Sequence, residues 1–210
     1  MEINIKTIAY IDGQNFLYKI AERVVNSGLV ASKQEVSAVD IPYLLNQIFP
    51  NEQLEIRYYG VAKIRRRNNY GAEIQEKSIQ FADNLRRMRS CLSKTGVKFR
   101  ATGVLKVRDR DGCKKCRATD YKFQEKGVDV GLAVDIVADS LRSNVDHIIL
   151  VSSDTDLVPA IKVAKEVGRR ITYVGFDNQI TRLLSSIADS TRAIQDDEVI
   201  EAYRRRYNRA

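Results

Sequence analysis

The sequence predicts an α/β protein with a mainly parallel sheet, and three observations predict it. Short apolar runs rich in β-branched residues, at 7–11, 148–151 and 170–176, have the pattern of strands buried on both faces. Each run stops at a polar turn and gives way to apolar residues at helical spacing. The chain has 210 residues, 44% of them hydrophobic, enough for one α/β core, with or without an appendage.

Taken in order, the first strand ends at Asp12-Gly13-Gln14-Asn15, and a helix follows with Phe16, Leu17, Ile20, Ala21, Val24 and Val25 on its buried side. Residues 26–40 are polar. Asp40 caps a short helix with Pro42 just inside its start. Residues 54–61 read as the next strand, and 72–94 as a long helix with Ile74, Ile79, Phe81, Ala82, Leu85, Met88 and Leu92 mostly inward. Residues 97–107 form a strand broken at Gly103, and a hairpin insertion spans about 104–125, with Asp111-Gly112 as its turn signal. An apolar helix at 127–138 carries Asp129 and Asp135. The strand at 148–151 runs into Ser152-Ser153-Asp154-Thr155-Asp156, and Leu157, Ile161, Ala164 and Val167 begin another helix. A strand and a helix complete the domain at about residue 190, leaving 191–210 as a basic helical tail rich in arginine.

The acids stand out by position. Ligands in open α/β sheets bind at the carboxyl ends of strands, where Asp12, Asp154 and Asp156 lie. Each can serve as a helix cap. Two acids one residue apart at a buried strand's exit also repel each other unless a cation offsets them, so metal binding stands beside capping. Asp129 and Asp135 are six residues apart, about 240° around a helix, so only one of them faces a common site. Asp129, beside Lys126 and Gly127, is the better candidate; Asp135 orients a neighbour or pairs in the core. Asn15 is placed to orient Asp12 or meet a phosphate. No serine, cysteine or histidine nucleophile system is apparent, and His147, the single histidine, reads as structural.

Charge points to a partner. The net charge is +8. Residues 57–126 hold 20 Lys and Arg against 7 Asp and Glu, whereas the remainder holds 15 against 20. A basic middle beside an acidic remainder suits a polyanion groove next to a cation site; a solvated helix surface gives the same composition. The candidate contacts are Arg65, Arg66, Arg67 and Tyr70 in one loop, Arg86 and Arg87 on the long helix, and Lys114 and Lys115 in the hairpin. Basic residues interleaved with an aromatic fit a phosphate backbone and a stacked base.

Cys113 and Cys116 form a lone CxxC. Structural zinc usually needs four N or S ligands, and Cys91 and His147 are the other candidates, so the pair is half of a site completed by a second subunit in a homodimer, a redox pair, or an incidental exposed loop, the last being favoured. Three cysteines make no disulfide framework and fit a reducing cytoplasm. No apolar run approaches the roughly 20 residues that span a bilayer, and the amino terminus lacks a signal peptide's pattern.

Three stretches in this order, Ile11-Asp12-Gly13-Gln14-Asn15, Lys126-Gly127-Val128-Asp129-Val130 and Val151-Ser152-Ser153-Asp154-Thr155-Asp156-Leu157-Val158-Pro159, resemble the NYN domain in its bacterial LabA-like branch, which is similar to the PIN domain nucleases. The resemblance covers about residues 5–190. It implies a three-layer α/β/α fold and acids gathered around one or two Mg²⁺ or Mn²⁺ ions. Carried onto this chain, it implies Asp12, Asp129, Asp154 and Asp156 as ligands, Asp135 as an uncertain addition, and Asn15, Lys126, Ser152 and Ser153 as support. The expected activity is a metal-dependent ribonuclease, endonucleolytic. The competing expectations are a catalytically silent RNA-binding module and, less favoured, a metal-dependent phosphatase.

Overall fold

The computed structural model describes residues 6–36, 39–65, 72–110 and 120–207, without the side chains of 34, 65, 108–110, 120–122, 206 and 207. In chain order the elements are β1 (Lys6–Asp12), α1 (Gly13–Asn26), a 3₁₀ turn at Lys33–Glu35, α2 (Ile41–Ile48), β2 (Leu54–Arg65), α3 (Ala72–Lys94), β3 (Lys98–Arg110), β4 (Asp120–Lys126), α4 (Val128–Ser140) and β5 (Val145–Val151). A 3₁₀ turn at Thr155–Leu157 leads into α5 (Val158–Glu166), β6 (Arg170–Phe176), α6 (Arg182–Ile187), β7 (Ser190–Ile194) and α7 (Asp196–Tyr207).

The strands form one seven-stranded sheet in the order β4-β3-β2-β1-β5-β6-β7. Only the β3–β4 pairing is antiparallel. Side chains alternate between the faces of a strand, and the apolar runs use both. Ala9, Ile11, Ile149 and Val151 join one core with residues of α1, α2 and α7. Ile8, Tyr10, Ile148 and Leu150 join the other with residues of α4, α5 and α6. Helices thus cover both faces, giving the three layers that the family resemblance implies.

Two differences from the sequence reading have physical causes. The boundary expected at 190 falls inside the fold: β7 completes the sheet, and Val199, Ala202 and Tyr203 of α7 are buried in the core. The arginine content there masks an apolar face. In α3, Ile79 and Phe81 lie toward solvent, 49% and 38% exposed, while Ile74, Ser78, Leu85 and Leu92 supply the buried side.

Topology fixes where a ligand goes. The chain moves from β1 out to β2, β3 and β4, then returns through α4 to β5 on the other side of β1. The winding therefore reverses between β1 and β5, and a crevice opens beyond their carboxyl ends.

A candidate acidic active site at the ends of β1 and β5

Asp12 is the last residue of β1 and only 5% exposed. Its Oδ1 accepts the backbone N–H of Asn15 at 3.3 Å, capping α1. Its Oδ2 accepts the hydroxyl of Ser152, just past β5, at 3.0 Å. The same hydroxyl oxygen accepts the backbone N–H of Asp154 at 3.1 Å. Asp154 in turn accepts the N–H of Asp156 at 2.9 Å, closing the 3₁₀ turn. Asn15 donates its amide to the Ser153 hydroxyl at 2.7 Å, and Thr181 donates to the Ser153 carbonyl at 3.2 Å. Capping and site formation are therefore one arrangement, with both strand exits tied into a single polar network.

Close packing brings the two strand exits and the hairpin to the site. A Cβ on Gly13 would lie 2.1 Å from the Tyr58 ring, so only glycine lets α1 start against β2. Tyr58 uses that proximity to donate its hydroxyl to the Gly13 carbonyl at 2.6 Å. A Cβ on Gly103 would lie 2.4 Å from the Val128 side chain, so the bare backbone of β3 lets the start of α4 settle over the sheet. That seats Asp129, in the first turn of α4, at the crevice.

An open cavity of about 490 Å³ lies between these elements, lined by Asp12, Asn15, Tyr18, Lys19, Glu125, Asp129, Ser153, Asp154 and Gln14. Burial raises the carboxyl pKa of Asp12, with Asp154 adding to the rise against the hydrogen bonds from Asn15 and Ser152. Burial also raises Asp129, and the charges of Asp12, Asp154 and Asp156 push it further. Glu125 is pushed up to about 7 by burial, then by Asp129 and Asp12. Among the described residues none of Asp12, Asp129, Asp154 and Glu125 forms an ion pair with a Lys or Arg. These carboxylates repel one another, and although Lys19 lines the same cavity, none of them is paired with it.

The site draws together Asp12, Asp129, Asp154, Asn15 and Ser153, with Ser152 bonded to Asp12 from behind. Asp156 is exposed at the margin, close enough to act on Asp129 but not lining the cavity. Asp135 accepts the Tyr59 hydroxyl at 2.8 Å and pairs with Arg100 at 2.8 Å, so the reading of it as a paired acid holds and its place as an additional ligand is corrected. A second expectation is corrected as well. Lys126 is exposed and does not line the cavity; its neighbour Glu125 does, because adjacent strand residues face opposite sides. Glu125 is the acid that sequence reasoning missed.

Of the basic candidates, Arg87 is exposed, and Arg86 is exposed but paired with Asp83. Arg89 turns inward, donating to the Val61 and Ala62 carbonyls at 2.8 Å each and lying over the Phe99 ring. Arg66, Arg67, Tyr70, Cys113, Cys116, Lys114 and Lys115 lie outside the described residues, as does the Arg65 side chain. His147 is unsuited to completing a zinc site: its ring nitrogens contact Glu52 at 2.7 Å and Thr172 at 2.8 Å.

Whether the acids suit a metal can be judged from their chemistry. The donors are all oxygen, the class that hard divalent cations take. Among the described residues no group of three or more His, Cys, Asp or Glu side chains is gathered so as to hold an ion. Mg²⁺ keeps several waters and takes one or two carboxylates directly, so the open cavity fits a hydrated ion rather than a closed cage.

Comparisons with known proteins agree with this architecture. The sequence profile of the NYN domain matches residues 6–195. An uncharacterized protein of Methanocaldococcus jannaschii is 37% identical over 68 residues, 32% of this chain and 28% of that protein. A 6-hydroxy-3-succinoylpyridine 3-monooxygenase of Pseudomonas putida is 38% identical over 53 residues, 25% of this chain and 16% of that enzyme. The matched segments thus span less than a third of either relative. The crystal structure of a Vibrio parahaemolyticus protein of unknown function is similar in fold, with a TM-score of 0.50 and 21% identity, covering 94% of this chain and 97% of that one.

Proposed function

The chain belongs to the NYN domain family, a PIN-like ribonuclease family, and we propose that it is a divalent-metal-dependent ribonuclease of the LabA-like branch that cuts RNA endonucleolytically. One observation carries the reading: acids from three separated segments, Asp12, Asp129 and Asp154, line one cavity at the point where the sheet's winding reverses, with no ion-pair partner among the described residues.

Asp12, Asp129 and Asp154 are the residues that would hold Mg²⁺ or Mn²⁺, with Glu125 beside them and Asp156 at the margin. The bound cation would supply an activated water and charge stabilisation for in-line displacement at phosphorus. The chain's own part is positional. The Ser152 hydroxyl fixes one oxygen of Asp12 while accepting from the Asp154 backbone, so the two carboxylates keep a set separation. Asn15, held by Ser153, offers an amide toward a phosphate oxygen. Lys19 adds the cavity's one lining cation among the described residues.

The basic surplus of residues 57–126 favours a polymer over a small phosphate ester. Among the described residues no helix is long and apolar enough to cross a membrane, and the low cysteine count supports action in the cytoplasm. A homodimer sharing the Cys113 and Cys116 loop stays part of the proposal.

The looseness of the carboxylates favours a second reading, a silent RNA-binding module, because no three of them are gathered for an ion. Incubating the purified protein with structured and single-stranded RNA under Mn²⁺, Mg²⁺ and EDTA separates the two. Cleavage with metal and none with EDTA is expected. Asp154→Asn should lose cleavage while binding RNA as well or slightly better, since one repulsive charge is gone. Binding without cleavage under every divalent ion would leave the silent module as the better account.

A further inference from the structure

A second cavity, of about 380 Å³, adjoins the acidic one and shares Gln14, Tyr18 and Glu125 with it. Its character is different. The Tyr58 and Tyr59 rings and Leu105 are buried in its lining, and Phe81 and Phe123 wall it. The inner hydroxyls already have partners: Tyr58 donates to the Gly13 carbonyl and Tyr59 to Asp135. The interior therefore presents apolar and aromatic faces, while Gln14, Lys33 and Glu125 supply the polar groups. Tyr18 stands where the cavities meet, 54% exposed, with the Lys33 ammonium 3.8 Å from its ring centroid. Tyr18 and Phe81, two large aromatics open to water at the rim beside an acidic site, mark a binding surface more than a packing need.

We infer that this cavity is the subsite for one unpaired nucleobase of the RNA, whose adjacent phosphate occupies the acidic cavity. The division of chemistry matches a nucleotide: an uncharged aromatic ring with a polar edge enters the apolar pocket, and the anionic phosphate lies where a cation offsets the carboxylates. The volume falls within the roughly 300–1,000 Å³ of small-ligand pockets. A base can reach such a pocket only when it is out of a duplex stack, so the substrate is single-stranded or looped at the cut. Tyr18 is the stacking platform at the junction. The inference rests on the ribonuclease reading for the placement of the phosphate, but not for the pocket's affinity for a base.

The test uses the full chain with Mn²⁺ and three probes, AMP, adenosine and ribose 5-phosphate, titrated to equilibrium. A stacked base contributes about tenfold or more in affinity, so AMP should bind at least about tenfold tighter than ribose 5-phosphate. It should also bind tighter than adenosine. Tyr18→Ala should abolish the preference for AMP over ribose 5-phosphate, and Tyr18→Phe should keep it, with melting curves showing both variants folded. Equal affinity for AMP and ribose 5-phosphate in the parent would overturn the base pocket. AMP no tighter than adenosine would overturn its link to the acidic cavity. A parallel series of single-stranded RNAs, each with one abasic position near the cut, should lose cleavage at one position alone. Uniform cleavage across the series would overturn the inference. If no RNA is cut under any metal, the ribonuclease reading fails by itself, and the AMP comparison still decides the pocket.

Discussion

Helix α4 carries three aspartates in two environments, and the contrast shows what each is for. Asp139, at its far end, is 2% exposed, accepts the Tyr10 hydroxyl at 2.7 Å and pairs with Arg57 and Arg142. Asp135, one turn earlier, is bonded to Tyr59 and Arg100. Both bind α4 to the sheet, where positive charge has been supplied for them. Asp129, at the first turn, shares the cavity with Asp12, Glu125 and Asp154, and its carboxyl is pushed upward by burial and by the charges of Asp12, Asp154 and Asp156. A paired acid holds structure together; an acid placed among other acids raises the energy of the metal-free fold. The same helix thus stabilises the sheet at one end and opposes that stability at the other, the usual mark of a binding site.

The largest effect that would sharpen this contrast lies at the paired end. Asp139→Ala leaves the Arg57 guanidinium, 12% exposed, with Glu55 as its remaining carboxylate among the described residues. Losing one side of a buried pair should cost about 3 kcal/mol of unfolding free energy, measured by urea denaturation, with cleavage per folded molecule unchanged. A loss no larger than a surface substitution gives would mean that this network does not brace α4.

The opposite sign is expected in the cavity. The folded-state carboxyl of Glu125 is pushed up to about 7 from an ordinary 4.5. The native state therefore holds an extra proton between those values, and its stability falls as pH rises through that window. In EDTA at pH 8, Glu125→Gln should melt higher than the parent, by about 2–4 °C per kcal/mol of repulsion relieved. Toward pH 5 the two melting points should converge, because the parent's Glu125 is then neutral as well. Circular dichroism melts at the two pH values check this; a gap that widens toward pH 5 would contradict the assignment.

A smaller effect is expected on the basic side. Arg87→Gln should weaken RNA binding on all sequences alike and flatten the dependence of log affinity on log salt by about 1. A titration series over ionic strength measures it, and an unchanged slope would remove α3 from the phosphate track.

Much of this could be read from the chain. Asp12 and Asp154 follow apolar strand runs, and that local pattern is enough to place them at the carboxyl ends of a parallel sheet. Helical angle alone shows that Asp129 and Asp135 cannot share a site, and the glycine and lysine at the helix start select Asp129. Glu125 was not legible, because it sits in a polar hairpin strand and reaches the site only through antiparallel pairing of Leu105 with Glu125 on β3 and β4. Lys126, its neighbour, is expected in support of Asp129, but strand alternation puts Lys126 and Glu125 on opposite sides. The partners of Asp135 were hidden for a similar reason: Tyr59 and Arg100 come from β2 and β3, far off in sequence. The end of the domain was misjudged because the arginines of α7 outweigh Val199, Ala202 and Tyr203 in any reading of composition.

The most direct test sets the two kinds of aspartate on α4 against each other. Mn²⁺-dependent cleavage of a single-stranded RNA is measured for Asp129→Asn and Asp135→Asn, each confirmed as folded. Losing a carboxylate from the cation site should lower the rate about 100-fold or more. Asp135→Asn should cut within about threefold of the parent and melt at a lower temperature, having lost charge opposite Arg100. Full activity in Asp129→Asn, with activity lost in a folded Asp135→Asn, would contradict the assignment of the cavity as the catalytic site.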